Sequence, residues 1–434
     1  MVARAKIQKR FFDFLRLKIE QESVSYFFAG FCMIIIPIYT WYAPPLIALW
    51  TLARIFEIYF NKKNGRNVGI NKENLTLAIL FITFFLLEVF SLIYSENITN
   101  GTKIVFSRLI LLIFPLLFIS PGRLIQNNES SLLKLFAKGT VIYIAYCFVF
   151  AFVRSVSYEE GQLIINTHPP EGYWLSYFFG SYFSVNQHPS YAAIFVIISI
   201  LITFESIINN RLRRDIRILW SLSALLLIIS LYFLSSRAAF IITLIVIPFY
   251  IFLKLHAVNK SIIAVVLIIF ILIGGFLIIR TNERIKYYLE QLSHGSVKDK
   301  TGKEDRILIW KSSLKIVSNN LLFGVGVGDV RDELIEEYES SGDKDLFENR
   351  YNAHNQFLEI TMEGGMISLV FFLLIIGYMT FRAIKTRNHL FTLFIIIMVI
   401  FFMFETVLYR LAGIILFSCF SFLLIQDDSL KRID

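Results

Sequence analysis

The sequence predicts an all-α polytopic membrane protein, with about twelve spanning helices and one large helical loop. Three observations predict it. Of the 434 residues, 56% are hydrophobic and only 17% charged, where a soluble domain carries about 25% charged residues. The 44 Phe residues sit in long runs with Ile and Leu, and backbone polar groups in lipid must be satisfied internally, so such runs become helices. The Lys and Arg residues cluster in the gaps between these runs, as orientation signals do. The net charge of +9 therefore reads as topology and not as nucleic-acid binding, since no basic module interleaved with aromatics is present.

A spanning helix needs about 20 mostly apolar residues. The stretches that meet this are 25–42, 43–60, 75–94, 104–120, 132–153, 189–208, 217–234, 237–253, 261–279, 355–381, 390–403 and 405–425. Pro44-Pro45 separates the first two. Arg4, Lys6, Lys9 and Arg10 precede the first apolar run, which begins near Tyr26 and carries no small-residue cleavage site. It reads as a retained first helix. The resulting organisation is a basic N-terminus (1–24), a nine-helix membrane region (25–279), a large loop (280–354), a three-helix membrane region (355–425) and a short tail (426–434).

Loop charges set the orientation. Arg4 to Lys18, Lys62-Lys63 with Arg66 and Lys72, Arg123 with Lys134, Arg211 to Arg217, Lys254 with Lys260, Arg382 to Arg387 and Lys431-Arg432 all fall on one side. The short loops of the other side hold single basic residues such as Lys103 and Arg237. The positive-inside rule then makes both termini cytoplasmic.

Two longer polar segments fall outside. One, Arg154 to His188, contains His168-Pro169-Pro170 and an aromatic run from Tyr173-Trp174 to Phe183 suited to the headgroup level. The other, Arg280 to Tyr351, is the most soluble-looking stretch of the chain. Within it, Asp305 to Val317 reads as an amphipathic helix with Ile307, Trp310, Leu314 and Val317 on one side, and Val330 to Tyr338 as a second, acidic helix.

The polar loop meets the next span at Asn352-Ala353-His354-Asn355-Gln356-Phe357-Leu358-Glu359, followed by Gly364-Gly365. An imidazole titrates near pH 6.5, so His354 can take a proton from a hydroxyl at working pH. It can equally be an interfacial histidine bonded to a loop carbonyl. Asn355 and Gln356 could orient the ring or a sugar, and Glu359, about one turn on, could cap or orient.

Arginines stand at the same face: Arg237 after Ser235-Ser236, Arg280 at the close of the ninth span, and Arg306 at the start of the loop helix, with Trp310 one turn on. Guanidinium forks bind phosphate oxygens bidentately and keep their charge when partly buried; anchoring to lipid headgroups is the alternative. His188, ahead of Pro189, is either a second site residue or a polar start to its helix. Glu88 and Arg108, near the outer ends of two spans, either pair with each other or face a cavity.

Gly324-Val325-Gly326-Val327-Gly328-Asp329 superficially suggests nucleotide binding, but no Gly-Lys-Ser/Thr follows and no strand precedes, so it reads as a tight turn. The acidic run Asp329 to Glu348 lacks calcium-loop spacing and reads as a solvated face. Cys32, Cys147 and Cys419 all lie in apolar runs and behave as small core residues, offering neither disulfides nor a zinc site.

The ordered set Ser235-Ser236-Arg237-Ala238-Ala239-Phe240, Arg306 with Trp310, Asn319-Asn320-Leu321-Leu322-Phe323-Gly324-Val325-Gly326-Val327-Gly328, and His354-Asn355-Gln356-Phe357-Leu358-Glu359 with Gly364-Gly365 resembles the O-antigen ligase and O-antigen polymerase family of polytopic bacterial glycosyltransferases. The resemblance covers about 220–380. It departs at Ser368, where family members usually carry glycine.

The resemblance implies a fold akin to the membrane-embedded GT-C glycosyltransferases. It also implies glycan transfer from a polyprenyl diphosphate carrier, by an inverting route without metal or cofactor, at the periplasmic face of the inner membrane. Arg237 and Arg306 would bind the diphosphate and His354 would be the general base. Asn355, Trp310, His188, Arg280, Glu359, Arg108 and Glu88 are supporting candidates.

The acceptor would be lipid A-core for a ligase, or a second lipid-linked glycan for a polymerase; the partners are otherwise membrane lipids, and no nucleic acid. A transporter or flippase of polysaccharide precursors is the rival class, and it predicts ionisable residues at mid-bilayer depth in broken helices. The topology is open to direct measurement. Cysteines introduced beside Arg306 should react with an impermeant thiol reagent from outside the cell, and labelling only from the cytoplasm would overturn the orientation.

Overall fold

The computed structural model describes residues 22–66, 69–159, 162–170, 176–208, 212–254 and 306–425, together with Asp13, Lys18 and Ile19. The expected ninth span (261–279), Arg280, Tyr173-Trp174 and the two terminal segments lie outside the described residues.

Hydrophobic runs become helices throughout: α1 (Ser23–Ile38), α2 (Ala43–Lys63), α3 (Lys72–Ser91), α4 (Ile98–Arg108), α5 (Ile110–Ile119), the short α6 (Arg123–Asn127) and α7 (Glu129–Ser155). After them come α8 (Pro189–Ile208), α9 (Arg214–Leu234) and α10 (Arg237–Lys254). The polar loop holds α11 (Arg306–Asn319), α12 (Val330–Ser341) and α13 (Lys344–Asn349), and the chain returns through α14 (Gln356–Lys385), α15 (His389–Phe404) and α16 (Leu411–Leu424). Among the described residues, eight helical stretches are long and apolar enough to cross a bilayer, and α1, α15 and α16 are shorter apolar helices. The protein is an all-α polytopic membrane protein.

Of the eight long spans among the described residues the most buried is α8, which packs against α7, α9, α10 and α15 and carries Ala192 to Ile198 inside. Short turns make successive helices antiparallel. The starts of α8, α10, α14 and α16 therefore gather with the ends of α9 and α15 at one end of the bundle, where α11 to α13 also sit.

Three details differ from the sequence reading. The last span starts at Leu411, not 405, because Glu405 is extended and a single 3-10 turn, Val407–Tyr409, intervenes. The inward face of α11 is Ile309, Ser312, Ser313, Ile316 and Val317, while Ile307 and Leu314 are exposed. The two small serines let α11 approach α14 closely, which rotates the buried stripe. Ile309, Ile316 and Val317 join Val330, Leu334, Tyr338, Leu346, Ala353 and Met362 in a second small core beneath the loop. Finally, Val156–Glu159 and Gln162–Ile165 pair as two antiparallel strands in a segment to which the sequence reading assigned no regular element.

The strongest structural constraint is a break in α14. Gly364 (φ −133°) and Gly365 (φ 67°, ψ −166°) leave helical geometry in mid-helix. The break releases backbone groups that a bilayer interior cannot satisfy. The glycine-rich turn fills it. Val325 N–H donates to Met362 O at 2.7 Å, Gly326 N–H to Glu363 O at 3.1 Å, and Met366 N–H donates to Leu321 O at 2.9 Å.

The fit is close enough that a Cβ on Gly365 would lie 2.1 Å from Leu322 O, and one on Gly324 2.3 Å from Met362 O. The Ser368 side chain occupies the space over Gly364, whose own Cβ would meet its Oγ at 2.1 Å. The serine is buried there, so the departure from glycine at 368 is accommodated by the bare backbone at 364. The far side of the turn is pinned by Asp329, whose carboxylate accepts from Ser95 Oγ and from Glu96 and Asn97 N–H at 2.7–2.9 Å.

Gly365→Ala should lower the thermal unfolding midpoint sharply, since the conformation is nearly glycine-only and strain alone costs about 1–3 kcal/mol before the clash. Gly377→Ala, with open space around it, is the control and should be close to neutral. Equal unfolding of the two variants in nanodiscs would contradict the packing.

Candidate functional site

His354 occupies a left-handed backbone position (φ 45°) just before α14. Such a conformation is uncommon for a residue with a side chain and persists only where its surroundings determine it. The surroundings are specific. Asn352 accepts from His354 N–H at 3.2 Å through its side-chain oxygen, and its amide donates to Thr406 Oγ1 at 2.9 Å. Trp310 Nε1 donates to Ala353 O at 3.1 Å. Asn355 caps α14, its side chain accepting from Phe357 and Leu358 N–H at 2.9 and 3.2 Å. Gln356 is buried, and its Oε1 accepts from Leu408 N–H at 2.6 Å.

These bonds tie residues 352–356 to the turn between α15 and α16, and they orient the ring of His354. Its Nδ1 lies 3.6 Å from Glu405 Oε2, an ion-pair separation longer than a direct hydrogen bond. The other carboxylate oxygen of Glu405 accepts from Ser190 Oγ at 3.1 Å. Burial alone would raise the Glu405 carboxyl, but the neighbouring His354 and His188 rings and the Ser190 hydroxyl hold it below the ordinary carboxylate range. His188 Nδ1 accepts from Ser190 N–H at 3.4 Å, at the start of α8.

Arg306 opens α11, with its guanidinium carbon 5.9 Å from the centre of the Phe404 ring, next to Glu405. Arg237 opens α10 at the same end of the bundle, its side chain exposed. Ser236 caps that helix by accepting from Ala239 N–H at 3.3 Å. Arg280 lies outside the described residues.

Beneath this end sits a second polar group. Arg108 is fully buried and donates through Nη1 to Glu88 Oε1 at 2.9 Å and to Glu363 Oε2 at 2.8 Å, through Nη2 to Glu363 Oε1 at 2.8 Å, and through Nε to Leu408 O at 3.0 Å. Glu88 and Arg108 thus pair inside the bundle, and Glu363 completes a bidentate bridge to the residue just before the α14 break. Glu359 lies one turn above Glu363, also buried.

The structure therefore gathers His354, His188 and Ser190 around Glu405, with Arg306 alongside and Trp310 as a prop. Glu88, Arg108 and Glu363 form a buried layer beneath, and Glu359 lies between that layer and the His354 segment, interacting with both. Sequence reasoning missed Glu405 and Glu363. Glu405 had a readable signal, an acid at the junction of two apolar runs on the His354 side; Glu363 had a plainer one, an acid inside a span. Among the described residues, no group of three or more His, Cys, Asp or Glu side chains is arranged to hold a metal ion.

Residues 222–373 match the family profile described as O-antigen ligase. The segment is similar to the O-antigen ligase family. It holds Arg237, Arg306, His354 and the Gly364–Gly365 break, about a third of the chain. The similarity associates this segment with glycan transfer in O-antigen assembly. Glu405 and Arg108 reach it from outside the matched segment, through His354 and Glu363. No curated protein matches the chain.

The supports of His354 can be weighed separately. Asn355→Ala removes a helix cap and should cost about 1 kcal/mol, and Trp310→Phe one hydrogen bond, about 1 kcal/mol, whereas Asn355→Asp should keep the cap. Thermal unfolding in nanodiscs checks this; an Asn355→Ala protein that melts with the wild type would show that the cap carries no weight.

Proposed function

We propose that the protein transfers a glycan from a polyprenyl diphosphate carrier to an acceptor hydroxyl at the periplasmic face of the inner membrane, with inversion and without a metal. The observation that supports this reading is the placement of His354, Arg306 and Arg237 toward one end of the bundle, all within the segment similar to O-antigen ligases. His354 takes the proton of the acceptor hydroxyl. The acceptor oxygen forms its bond to the anomeric carbon as the carbon–oxygen bond to the diphosphate breaks, and the bonding pair leaves with the diphosphate. Arg306 and Arg237 offset the charge that develops there, which fixed cations do most effectively when held in place before reaction. Attack from the face opposite the leaving group inverts the anomeric centre.

Lipid A-core is the acceptor we favour, on the resemblance of the His-Asn and Arg motifs to the ligase branch. A polymerase joining lipid-linked repeats would use the same donor site. The rival transporter reading draws on the broken α14 and the buried ionisable layer, both at home in transporters. Here, however, the backbone groups freed by the break are bonded to the 321–326 turn and do not open to a passage.

His354→Ala should lower transfer by about 10²-fold or more, and Arg306→Ala by about 10²-fold, with folding intact. Normal transfer by a well-expressed His354→Ala protein would sink the catalytic reading. Gene deletion separates the branches. Long chains left on the polyprenyl carrier, with none on lipid A-core, support the ligase; single repeats on lipid A-core support the polymerase.

A further inference from the structure

We infer that Glu405 is a positioning residue for His354: its carboxylate orients the imidazole from the Nδ1 side and holds the imidazolium that forms when the proton is taken. The inference rests on the reading of His354 as general base, and it assigns work to a residue outside the O-antigen ligase match.

The geometry is that of a divided carboxylate. Oε2 faces His354 Nδ1 at 3.6 Å and Oε1 accepts from Ser190 Oγ at 3.1 Å, so each oxygen has its own partner. The backbone around it is fixed. Glu405 is extended (φ −145°, ψ 148°), and its N–H donates to Phe401 O at 2.9 Å. The next residues hold the other side of the histidine segment, Thr406 through Asn352 and Leu408 through Gln356. Three residues within one four-residue stretch thus set the place of one ring.

A buried acid with only a structural duty would need Ser190 alone. Glu405 instead keeps an oxygen at the imidazole, 14% exposed, where solvent screens little. The other titratable or charged groups around the pair are His188 from the start of α8, Glu359 of α14, which acts on His354, and Tyr191, whose hydroxyl donates to Thr406 O at 3.2 Å and beyond which stands Arg410. The two imidazoles and the Ser190 hydroxyl keep Glu405 ionised and able to attract a proton to His354.

The sign of the pH effect follows. A nearby carboxylate favours the imidazolium and raises the ring pKa, so a base-dependent rate climbs at higher pH than it would without the acid. Glu405→Gln should move the rising limb of the pH–rate profile to lower pH by about 1 unit and lower the plateau by about 10²-fold. Glu405→Asp, one methylene shorter, should move the limb less and retain more rate. In a His354→Ala background, Glu405→Gln should cost nothing further, because residues that act as a unit are not additive.

The assay is transfer from undecaprenyl diphosphate-linked oligosaccharide to lipid A-core by full-length protein in nanodiscs, with thermal unfolding run on each variant. An unshifted limb in a folded Glu405→Gln protein, or losses that multiply in the double variant, overturns the inference while leaving His354 as the base. Should Glu405→Gln not fold, an unshifted limb in Glu405→Asp overturns it equally. Full activity of His354→Ala instead removes the base itself, a different failure.

Discussion

The break in α14 at Gly364–Gly365 is the constraint on which the rest of the structure depends. A helix cannot open inside a bilayer unless its freed groups find partners, because each unsatisfied one costs several kcal/mol. Here the partners come from the polar loop. The turn at 321–326 inserts backbone where helix backbone was lost, and Gly324 and Gly365 are the points at which no side chain fits. The loop is thereby locked to the membrane region. From that junction α11 runs to Arg306 and Trp310, and α14 runs back one helical segment to His354.

The charged layer below the site reinforces this lock. Arg108 grips Glu363 beside the break and the Leu408 carbonyl beside the site turn. One guanidinium thus connects the broken helix, the α15–α16 turn and Glu88 of α3. Removing either partner of such a buried pair leaves an uncompensated charge and is far costlier than the pair is stabilising. The arrangement reads as registry, which keeps residues 352–356 and 405–408 opposite each other.

The sequence made the spans legible because lipid demands long apolar runs, and it made His354, Arg237 and Arg306 legible because a few polar residues at apolar boundaries stand out. The glycine run was readable as a turn, but nothing local told that it would fill the helix break at Gly364–Gly365; only packing brings Leu321 to Met366. The face of α11 was misread because Ser312 and Ser313 look polar, while close helix approach favours small residues over large ones. Glu405 was hidden by assigning it to the first turn of a span. Its meaning is set by Ser190 and His354, residues 215 and 51 positions away, and no pattern in sequence connects them.

The proposed site is one oriented histidine with a carboxylate behind it, with Arg306 and Arg237 at the same end of the bundle. The most direct test is a structure of the protein in nanodiscs with an undecaprenyl phosphonophosphate-linked glycan, which cannot be cleaved. The account predicts the phosphonophosphate against Arg306 and Arg237, with the anomeric carbon facing the space in front of His354. A headgroup bound at the opposite end of the bundle, or one contacting neither arginine, would contradict it.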